Sequence, residues 1–455
     1  MDIQPALEQI LSAITSWKES FGPYNPHPST QIPAEHLNTA LTNYLKRLEG
    51  NYPFFHPRYA GQMLKPPHPI AQLAYFAAMF INPNNHALDG GPPTSEMEKE
   101  VIKKLAHLFR FPENTLGHLT SSGTIANLEA LWIARCLHPN KKIAFSEEAH
   151  YTHERMCGVL GIEHVKIPTT LTGEIDLNAL EHVLKTGEIG TVVMTAGTTG
   201  LGAIDPIHEL LTLRERYEFR IHADAAYGGF FTLLAYDEVP IIPFQAFRAI
   251  SRCDSVVVDP HKHGLQPYGC GAVLFRDSNV ARFYLHDAPY TYFTSNELHL
   301  GEISLECSRA GAAAGALWLT LQCLPLKSEK GLGPILKGCI RASKNFQQLL
   351  VSDDHWGVYT EPQLDIVTYF PYDGSTDTID KTSQKLFEKA MNDPEDPVFL
   401  SVYRGKTNRI QQQYPKIIPH SSHARILRSV LMKPEQELYA PQLMDRLNSL
   451  LEEIR

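Results

Sequence analysis

The sequence lacks the features of nucleic-acid-binding and membrane-spanning proteins. It contains no run of basic residues, and its net charge at pH 7 is −9. An acidic balance disfavours nucleic acids and anionic membrane surfaces as partners. The sequence also contains no apolar run of 18 residues, the length that a transmembrane helix requires. We therefore expect a globular protein that has neither nucleic acid nor a membrane as its partner.

The signatures of an exported protein are missing as well. The seven cysteines are an odd number without C-x-x-C spacing, which is typical of reduced thiols rather than of a disulfide framework. Residues 1–20, MDIQPALEQILSAITSWKES, form an amphipathic pattern with acidic residues. They have neither the basic start nor the apolar core of a signal peptide. These absences predict a cytoplasmic location.

What the chain does contain is the composition and the length of a two-domain globular protein. Hydrophobic residues make up 43% of its 455 residues and charged residues 20%. We predict an N-terminal helical arm (1–75), a large domain (76–330) and a smaller C-terminal α+β domain (331–455). The arm contains two short helical patterns around a proline-rich connection and buries little by itself. We expect it to pack against the large domain or a second subunit.

Short apolar runs alternate with helical patterns through the large domain. Such alternation predicts an α/β fold with a mostly parallel central sheet and helices on both faces. Ligands of these sheets bind at the carboxyl ends of the strands. The predicted strands are KKIAF (141–145), HVKIP (164–168), TVVMTAG (191–197), RIHADAA (220–226), SVVVDP (255–260) and GAVLFRD (271–277).

Lys262 follows one of these strands, in the segment VVVDPHKHG (256–264). A lysine at a strand end is placed to bind a carbonyl cofactor, because an uncharged ε-amine adds to an aldehyde and is then exchanged for a substrate amine. The alternative is an ordinary solvated loop lysine.

Asp224 follows another strand, in the segment HADAAYGG (222–229). A carboxylate at the end of a buried strand needs a cation or a hydrogen-bond donor. A pyridinium nitrogen would be such a partner, since the carboxylate keeps the ring protonated and able to withdraw electrons. A helix-capping or salt-bridged aspartate is the alternative.

Two further segments fit the same cofactor. TSSGTIANLEALWIAR (120–135) is a turn of small residues that leads into a helix, and it offers backbone N–H groups and a helix dipole to a phosphate. His150, in SEEAHYTHE (146–154), is placed to stack an imidazole on a flat ring or to serve as a structural hydrogen-bond partner. Together these segments predict a site for a phosphorylated pyridine aldehyde.

The ordered motifs resemble those of the pyridoxal-5′-phosphate (PLP)-dependent group II amino-acid decarboxylases, which have the aspartate-aminotransferase fold (fold type I). The motifs that carry this resemblance are HPRYAGQM, NPNNHALDGGPPTSEME, SSGTIANLEAL, SEEAH, TAGTTG, HADAAYGG, DPHKHG and ILRSVLMKP.

The resemblance implies a role for each matching residue. Lys262 would bind the cofactor aldehyde, Asp224 the pyridine nitrogen, and His150 the face of the ring. The further cofactor contacts that the resemblance implies are Ser122, Gly123 and Thr124 at the phosphate, Ala226 below the ring, Thr198 in the pocket and His261 beside the lysine.

The resemblance also implies a substrate site. Arg428, in ILRSVLMKP, falls where the family holds the substrate α-carboxylate, and an arginine fork suits a carboxylate. Either Tyr290 or Tyr292 would supply the proton that replaces CO2. Tyr59 and Phe80 are candidates for the side-chain pocket, with His56 and Gln62 beside them.

The resemblance therefore implies decarboxylation of an L-amino acid by a homodimer with shared active sites. An aromatic substrate is the first choice and an acidic one the second. Carbon–carbon cleavage, as in sphingosine-phosphate lyases, and oxidative decarboxylation to an aldehyde are mechanistic alternatives, because LECSRAG (305–311) also resembles the lyases and the archaeal tyrosine/aspartate decarboxylases.

Two other classes of protein compete with this interpretation. A zinc enzyme would use ligands from the HYTHE and HKH segments, but these lack the H-E-x-x-H order and enclose Lys262. The candidate zinc ligands are His150, His153, Glu154, His261 and His263. A binding protein on the same fold is the other competitor, against which the pair of Lys262 and Asp224 argues. We expect no metal ion.

Overall fold

The computed structural model describes residues 2–284 and 303–455. It contains a seven-stranded sheet in the order β1-β7-β6-β5-β4-β2-β3 and a four-stranded sheet in the order β10-β11-β9-β8. The strands are β1 Leu116–Thr120, β2 Lys142–Ser146, β3 His164–Ile167, β4 Ile189–Thr195, β5 Arg220–Asp224, β6 Ser255–Val258, β7 Gly271–Phe275, β8 Trp356–Thr360, β9 Ile366–Pro371, β10 Ser401–Lys406 and β11 His423–Val430.

Helices cover both sheets and form the N-terminal arm. The α-helices are α1 Gln4–Glu19, α2 Ala34–Leu48, α3 Pro69–Met79, α4 Pro92–Leu108, α5 Gly123–Leu137, α6 Thr152–Leu160, α7 Leu177–Leu184, α8 Ile207–Arg214, α9 Phe244–Ala249, α10 Gly311–Cys323, α11 Leu332–Val351, α12 Thr376–Asn392, α13 Thr407–Gln413 and α14 Gln436–Ile454. None of the helices in the described ranges is long and apolar enough to cross a membrane.

The large sheet confirms the predicted mostly parallel α/β fold. β2, β3, β4, β5 and β6 pair in parallel, whereas β7 runs antiparallel to both of its neighbours, β6 and β1. Buried side chains fill both faces of the central strands; Val256 and Ile221, for example, are fully buried. This pattern is typical of a sheet with helices on both faces. All six predicted strands of this sheet are present, and β1 is an additional one.

The carboxyl ends of β4, β5 and β6 lie side by side at one edge of the large sheet. In this register Thr195 pairs with Asp224, and Asp224 with Val257. The segment that carries Lys262 begins directly after β6. The fold thus brings residues that are distant in sequence to one edge, where α/β sheets bind their ligands.

The smaller sheet is antiparallel and lies after α11 in the chain. Its strands β8 and β9 match the runs WGVYTE and LDIVTYF of the sequence. α11 and α14 pack together, and their apolar faces share a core with the strands. The observed elements agree with the predicted α+β class of this region, while the domain boundaries at residues 75 and 330 stay predictions.

Three helix starts differ from the sequence-based expectation. The residues SEMEK predict a helix from Thr94 or Ser95, but α4 begins at Pro92, because a proline fits the first helical position and needs no N–H partner there. The polar residues 373–380 predict a loop, but α12 begins at Thr376, after Ser375 caps it by accepting from the Thr378 N–H. The sequence predicts a last helix from Ala440, and α14 begins at Gln436.

Two helices of the predicted arm, α1 and α2, contribute no buried residue. α1 contacts α3, which spans the predicted boundary at residue 75. Apolar side chains of α2 are exposed at helical spacing, on one face of the helix: Leu37, Leu41, Tyr44, Leu45 and Leu48.

Candidate active site

A cavity of about 160 Å³ opens at the carboxyl edge of the large sheet. Most of the predicted cofactor residues line it. These are Ser122, Gly123, Thr124, His150, Asp224, Ala226, His261 and Lys262. The fold therefore brings these residues together from four separate segments of the chain, each at or after the end of a strand.

Lys262 lies in the turn after β6, and its Nζ is 3.0 Å from Oδ2 of Asp259. Asp259 is almost fully buried, and its Oδ1 has no hydrogen-bond partner among the described residues. An unpaired buried carboxylate oxygen costs free energy, so the ion pair with Lys262 offsets part of that cost. The result is a lysine held at the cavity rather than a solvated one.

Asp224 ends β5 and is buried. Its Oδ2 accepts from His153 Nε2 at 2.7 Å, and its Oδ1 accepts from the Ala226 N–H at 3.2 Å. Burial by itself raises the pKa of Asp224, but the hydrogen bond and the charge of His153 outweigh it, so the pKa lies below its usual range. The cavity therefore contains a carboxylate that stays ionised.

The turn that precedes α5 forms one end of the cavity. Ser122 caps this helix, and its Oγ accepts from the Ile125 N–H. The N–H groups of Gly123 and Thr124 have no acceptor among the described residues, as expected for the first residues of a helix. A Cβ at Gly123 would lie 2.6 Å from Asp259 Oδ2, so only glycine fits there. Free N–H groups and a helix dipole make this end suitable for a phosphate.

His150 lines the cavity from the loop after β2, and its Nδ1 lies 2.8 Å from the Thr152 hydroxyl. Burial lowers the pKa of His150. A neutral, flat imidazole is suited to lie against an aromatic ring. His261 also lines the cavity, and its Nδ1 donates to the Cys270 carbonyl at 2.8 Å.

The residues therefore fit PLP on three separate criteria. The free helix N–H groups suit its phosphate, the ionised Asp224 suits a protonated pyridine nitrogen, and Lys262 suits its aldehyde. The zinc alternative fits less well, because His153, one of its candidate ligands, is bound to Asp224 instead.

Arg428, on β11, does not line the cavity but lies directly behind its wall. Its guanidinium donates to the carbonyls of Thr199, at 2.6 Å, and of Gly200 and Gly61, and to the Ser401 hydroxyl. Within the described residues no carboxylate pairs with it, although it is almost fully buried. A buried cation that meets only neutral acceptors can attract an additional carboxylate.

Three predicted residues lie away from the cavity. Thr198 is fully buried with its hydroxyl accepting from the Ala203 N–H, and its neighbours Gly197 and Thr199 line the cavity instead. Phe80 caps the end of α3, is 38% exposed and faces Lys18 of the arm. Tyr59 is buried near Arg428, since Gly61 two residues later accepts from that arginine.

The other substrate candidates are less informative. Gln62 is exposed, and His56 is half-buried with its Nδ1 accepting from the Arg58 N–H. Tyr290 and Tyr292 lie outside the described residues.

Several residues at the cavity escaped the sequence analysis. Those that line it are Asn127, Thr152, Thr195, Gly197, Thr199, Tyr227 and Asp259. Thr195 and Asp259 stand at or just after strand ends, which is a signal that the sequence offered. Tyr227 donates to Asp365 Oδ1 at 2.6 Å, and Asp365 Oδ2 lies 3.0 Å from His263 Nε2. This contact connects the loop of Lys262 to the smaller domain. No local sequence pattern predicts it, because the two residues are distant in the chain.

The fold and the cavity define an enzyme of the PLP-dependent class. Residues 26–371 match the family model described as the pyridoxal-dependent decarboxylase conserved domain. The chain belongs to this family. Its cofactor is pyridoxal 5′-phosphate, and its reaction is the decarboxylation of an amino acid.

Two curated relatives illustrate the range of similarity. The L-tyrosine decarboxylase of Enterococcus faecium is 29% identical over 504 residues, covering 84% of this chain and 82% of its own length. The probable L-aspartate decarboxylase of Pyrococcus furiosus is 26% identical over 397 residues, covering 87% of this chain and 98% of its own.

Solved structures share the fold at lower identity. The crystal structure of Oryza sativa TDC with PLP and tryptamine has a TM-score of 0.81 at 16% identity, and covers 100% of this chain and 98% of that chain. The structure of mouse CSAD has a TM-score of 0.78 at 20% identity, with 97% and 98% covered.

Proposed function

We propose that this enzyme decarboxylates an L-amino acid with an aromatic side chain, such as L-tyrosine, to the corresponding amine. The observation that carries the substrate class is the kind of side chain at the cavity. Among the described lining residues Lys262 is the only lysine or arginine, and it is committed to the cofactor. An acidic side chain would need a second cation there, whereas an aromatic one needs apolar or aromatic surface.

Aromatic residues near the cavity support this choice. Tyr268 lies against His261, with ring centroids 4.9 Å apart, and Tyr227 lines the cavity. The L-tyrosine decarboxylases of Enterococcus faecium and Levilactobacillus brevis among the relatives agree with it. The acidic alternative is supported by the probable L-aspartate decarboxylase of Pyrococcus furiosus.

In this proposal each cavity residue has a task. Lys262 would hold the cofactor aldehyde. Asp224 would keep the pyridine nitrogen protonated, His150 and Ala226 would lie against the ring, and the turn at Gly123 would hold the phosphate. PLP supplies a conjugated ring that accepts the electron pair left when CO2 departs.

The substrate carboxylate is assigned to Arg428. Its guanidinium already reaches the carbonyls of Thr199 and Gly200 at the cavity wall. Exchanging one of these neutral acceptors for a carboxylate gives a charge-assisted hydrogen bond, which is stronger. Tyr290 and Tyr292 stay the candidates for the acid that protonates the product carbon.

We further propose that the enzyme is a cytoplasmic homodimer. The apolar face of α2, from Leu37 to Leu48, is exposed along its length, and contiguous apolar surface of this kind is typical of an interface. All seven cysteines lie in the described part of the chain, and all seven are free thiols, which supports a reducing compartment.

The substrate proposal is tested by assaying L-tyrosine, L-phenylalanine, L-tryptophan, L-aspartate and L-glutamate separately with PLP-loaded enzyme. We expect CO2 and the amine in equal amounts from an aromatic substrate. Turnover of L-aspartate or L-glutamate alone would overturn the aromatic assignment. An aldehyde with O2 uptake would show the oxidative reaction instead, and turnover of phosphorylated amino alcohols would show carbon–carbon cleavage.

A further inference from the structure

His153 is a buried histidine that the proposed reaction leaves without a role. It lies in the first turn of α6, three residues after His150, and its side chain is fully buried. Its Nε2 is 2.7 Å from Asp224 Oδ2. Its ring lies beside that of Phe145, at 5.8 Å between centroids. The contact therefore joins the end of β5 to a helix behind the cavity.

The chemistry of the pair fixes where its proton lies. An ionised Asp224 has no hydrogen to donate, so the hydrogen of this bond belongs to His153 Nε2. The other ring nitrogen, Nδ1, is buried and has no partner among the described residues. The geometry thus places a hydrogen on His153 Nε2, directed at Asp224 Oδ2.

We propose that His153 is a positioning residue for the decarboxylation, which holds Asp224 in the orientation that keeps the pyridine nitrogen of the cofactor protonated. It occupies Oδ2, while Oδ1 accepts from the Ala226 N–H and Asp224 itself lines the cavity. The inference rests on the proposed role of Asp224 at the pyridine nitrogen.

The electrostatics of the site agree with this role. The ionisable groups that act on Asp224 include His153, His222 and Lys262, from α6, β5 itself and the loop after β6. His222 bonds to Asn127 and Ser255, and burial lowers its pKa to about 3, so it is neutral. Within the described residues, His153 is therefore the side-chain donor to the carboxylate, beside the backbone N–H of Ala226.

The test compares two substitutions of this residue. His153→Phe keeps a ring of similar size and removes the donor, whereas His153→Gln keeps an N–H donor at a similar reach. With ¹⁵N-labelled PLP, the pyridine nitrogen of wild type and His153→Gln should give the signal of the protonated ring. That of His153→Phe should shift toward the neutral ring at the same pH. A protonated nitrogen in a folded His153→Phe enzyme would overturn the proposal.

Binding and kinetics give a second readout. Residues that orient a ligand-binding side chain through a hydrogen bond typically contribute about 10- to 100-fold to affinity or activity. We expect His153→Phe to weaken PLP binding to the apoprotein by about that factor. kcat should fall while KM for the amino acid changes little, because Arg428 is untouched. His164→Phe is the matched control. His164 stacks on Phe145, the same ring that lies beside His153, with centroids 5.3 Å apart, but it does not contact Asp224.

Asp224→Asn separates this inference from the proposed function. If Asp224→Asn leaves the pyridine nitrogen protonated, the role of Asp224 itself fails. If Asp224→Asn removes that proton and His153→Phe does not, the inference about His153 alone fails. Should His153→Phe not fold, ¹⁵N-histidine spectra of the wild-type apoprotein decide the matter. A hydrogen on Nε2 supports the proposal, and a ring whose Nε2 carries no hydrogen overturns it.

Discussion

The ammonium group of Lys262 lies 3.0 Å from the buried carboxylate of Asp259, three residues earlier in the same turn. The pair places the amine at the cavity wall before any cofactor binds. We predict that borohydride reduction of the PLP-loaded enzyme, followed by peptide mass spectrometry, will find the cofactor attached to Lys262. Lys262→Ala should abolish both this adduct and CO2 release. The exposed Lys185→Ala is the control, and an adduct on another lysine in wild type would contradict the assignment.

Gly123 lies in the turn that precedes α5, residues 122–124, which we call the phosphate turn because we propose that it binds the cofactor phosphate. This position does not tolerate a side chain. A Cβ there would lie 2.6–2.7 Å from both oxygens of Asp259, which is too close for any real contact. Gly123→Ala should therefore displace the turn and weaken PLP binding by at least about tenfold, measured by titrating the apoprotein. Gly158→Ala, in α6 with open space around it, is the control. Unchanged PLP affinity in Gly123→Ala would argue against a phosphate at this turn.

Substitutions of Arg428 separate substrate binding from cofactor binding. Arg428→Gln removes the charge, so KM for the amino acid should rise by about 10-fold or more while PLP affinity changes less. Arg428→Lys should recover part of the loss, because lysine restores the charge without the bidentate geometry. Arg425→Gln, on the same strand but bonded to Gln384, is the control for β11. Equal KM values for all four enzymes would remove Arg428 from the substrate site.

The raised pKa of the buried Asp205 predicts how the free energy of unfolding depends on pH. Asp205 is fully buried and accepts from the Thr195 and Ile175 N–H groups, and burial raises its pKa to about 7. The folded state therefore keeps a proton that the unfolded state loses above about pH 4. The contribution of Asp205 to stability is complete below that pH and declines as pH rises through about 7.

Denaturant unfolding of the apoprotein at pH 5 and pH 8 measures this effect. Asp205→Asn cannot titrate, so its stability should change less than that of wild type between the two pH values. It should also be less stable by about 1–3 kcal/mol, because its amide N–H₂ faces a backbone N–H. The exposed Asp354→Asn should keep the wild-type pH dependence. An unaltered pH dependence in Asp205→Asn would refute the raised pKa.

The exposed apolar face of α2 predicts the oligomeric state. Leu41 lies in the middle of this face and is 47% exposed, so a buried charge there should oppose association. We expect wild type to elute as a dimer in size-exclusion chromatography with light scattering and Leu41→Glu to shift toward the monomer. Leu438→Glu, at an exposed leucine of α14, is the control. A monomeric wild type, or a dimeric Leu41→Glu, would contradict an interface at α2.

Much of this site was predictable because its residues follow strands that are easy to recognise. Asp224 and Lys262 come directly after β-branched or apolar runs, and the parallel arrangement of β5 and β6 brings these ends together. The phosphate turn was recognisable from its small residues before α5. In each of these cases a local pattern and a general rule for α/β sheets sufficed.

The other contacts depend on packing between distant segments. Whether Thr198 or Thr199 faces the cavity is decided by the loop conformation, in which the Thr198 hydroxyl accepts from the Ala203 N–H. Phe80 has a side chain that suits an aromatic substrate pocket. Its position at the end of α3 places the ring against Lys18 of α1 instead. The hydrogen bond between His153 and Asp224 joins α6 to β5. These elements are far apart in the sequence, so no periodic pattern predicts that the two side chains meet.

The position of β7 has a consequence for biosynthesis. Thr120, which precedes the phosphate turn, pairs with Gly271 at the start of β7, and a Cβ at 271 would lie 2.6 Å from the Ser122 carbonyl carbon. The turn thus rests on a strand that leaves the ribosome long after it. A half-made chain that ends before β7 lacks Gly271 and therefore cannot complete this turn. PLP added during expression should then stabilise completed chains and not the shorter ones that are still being made.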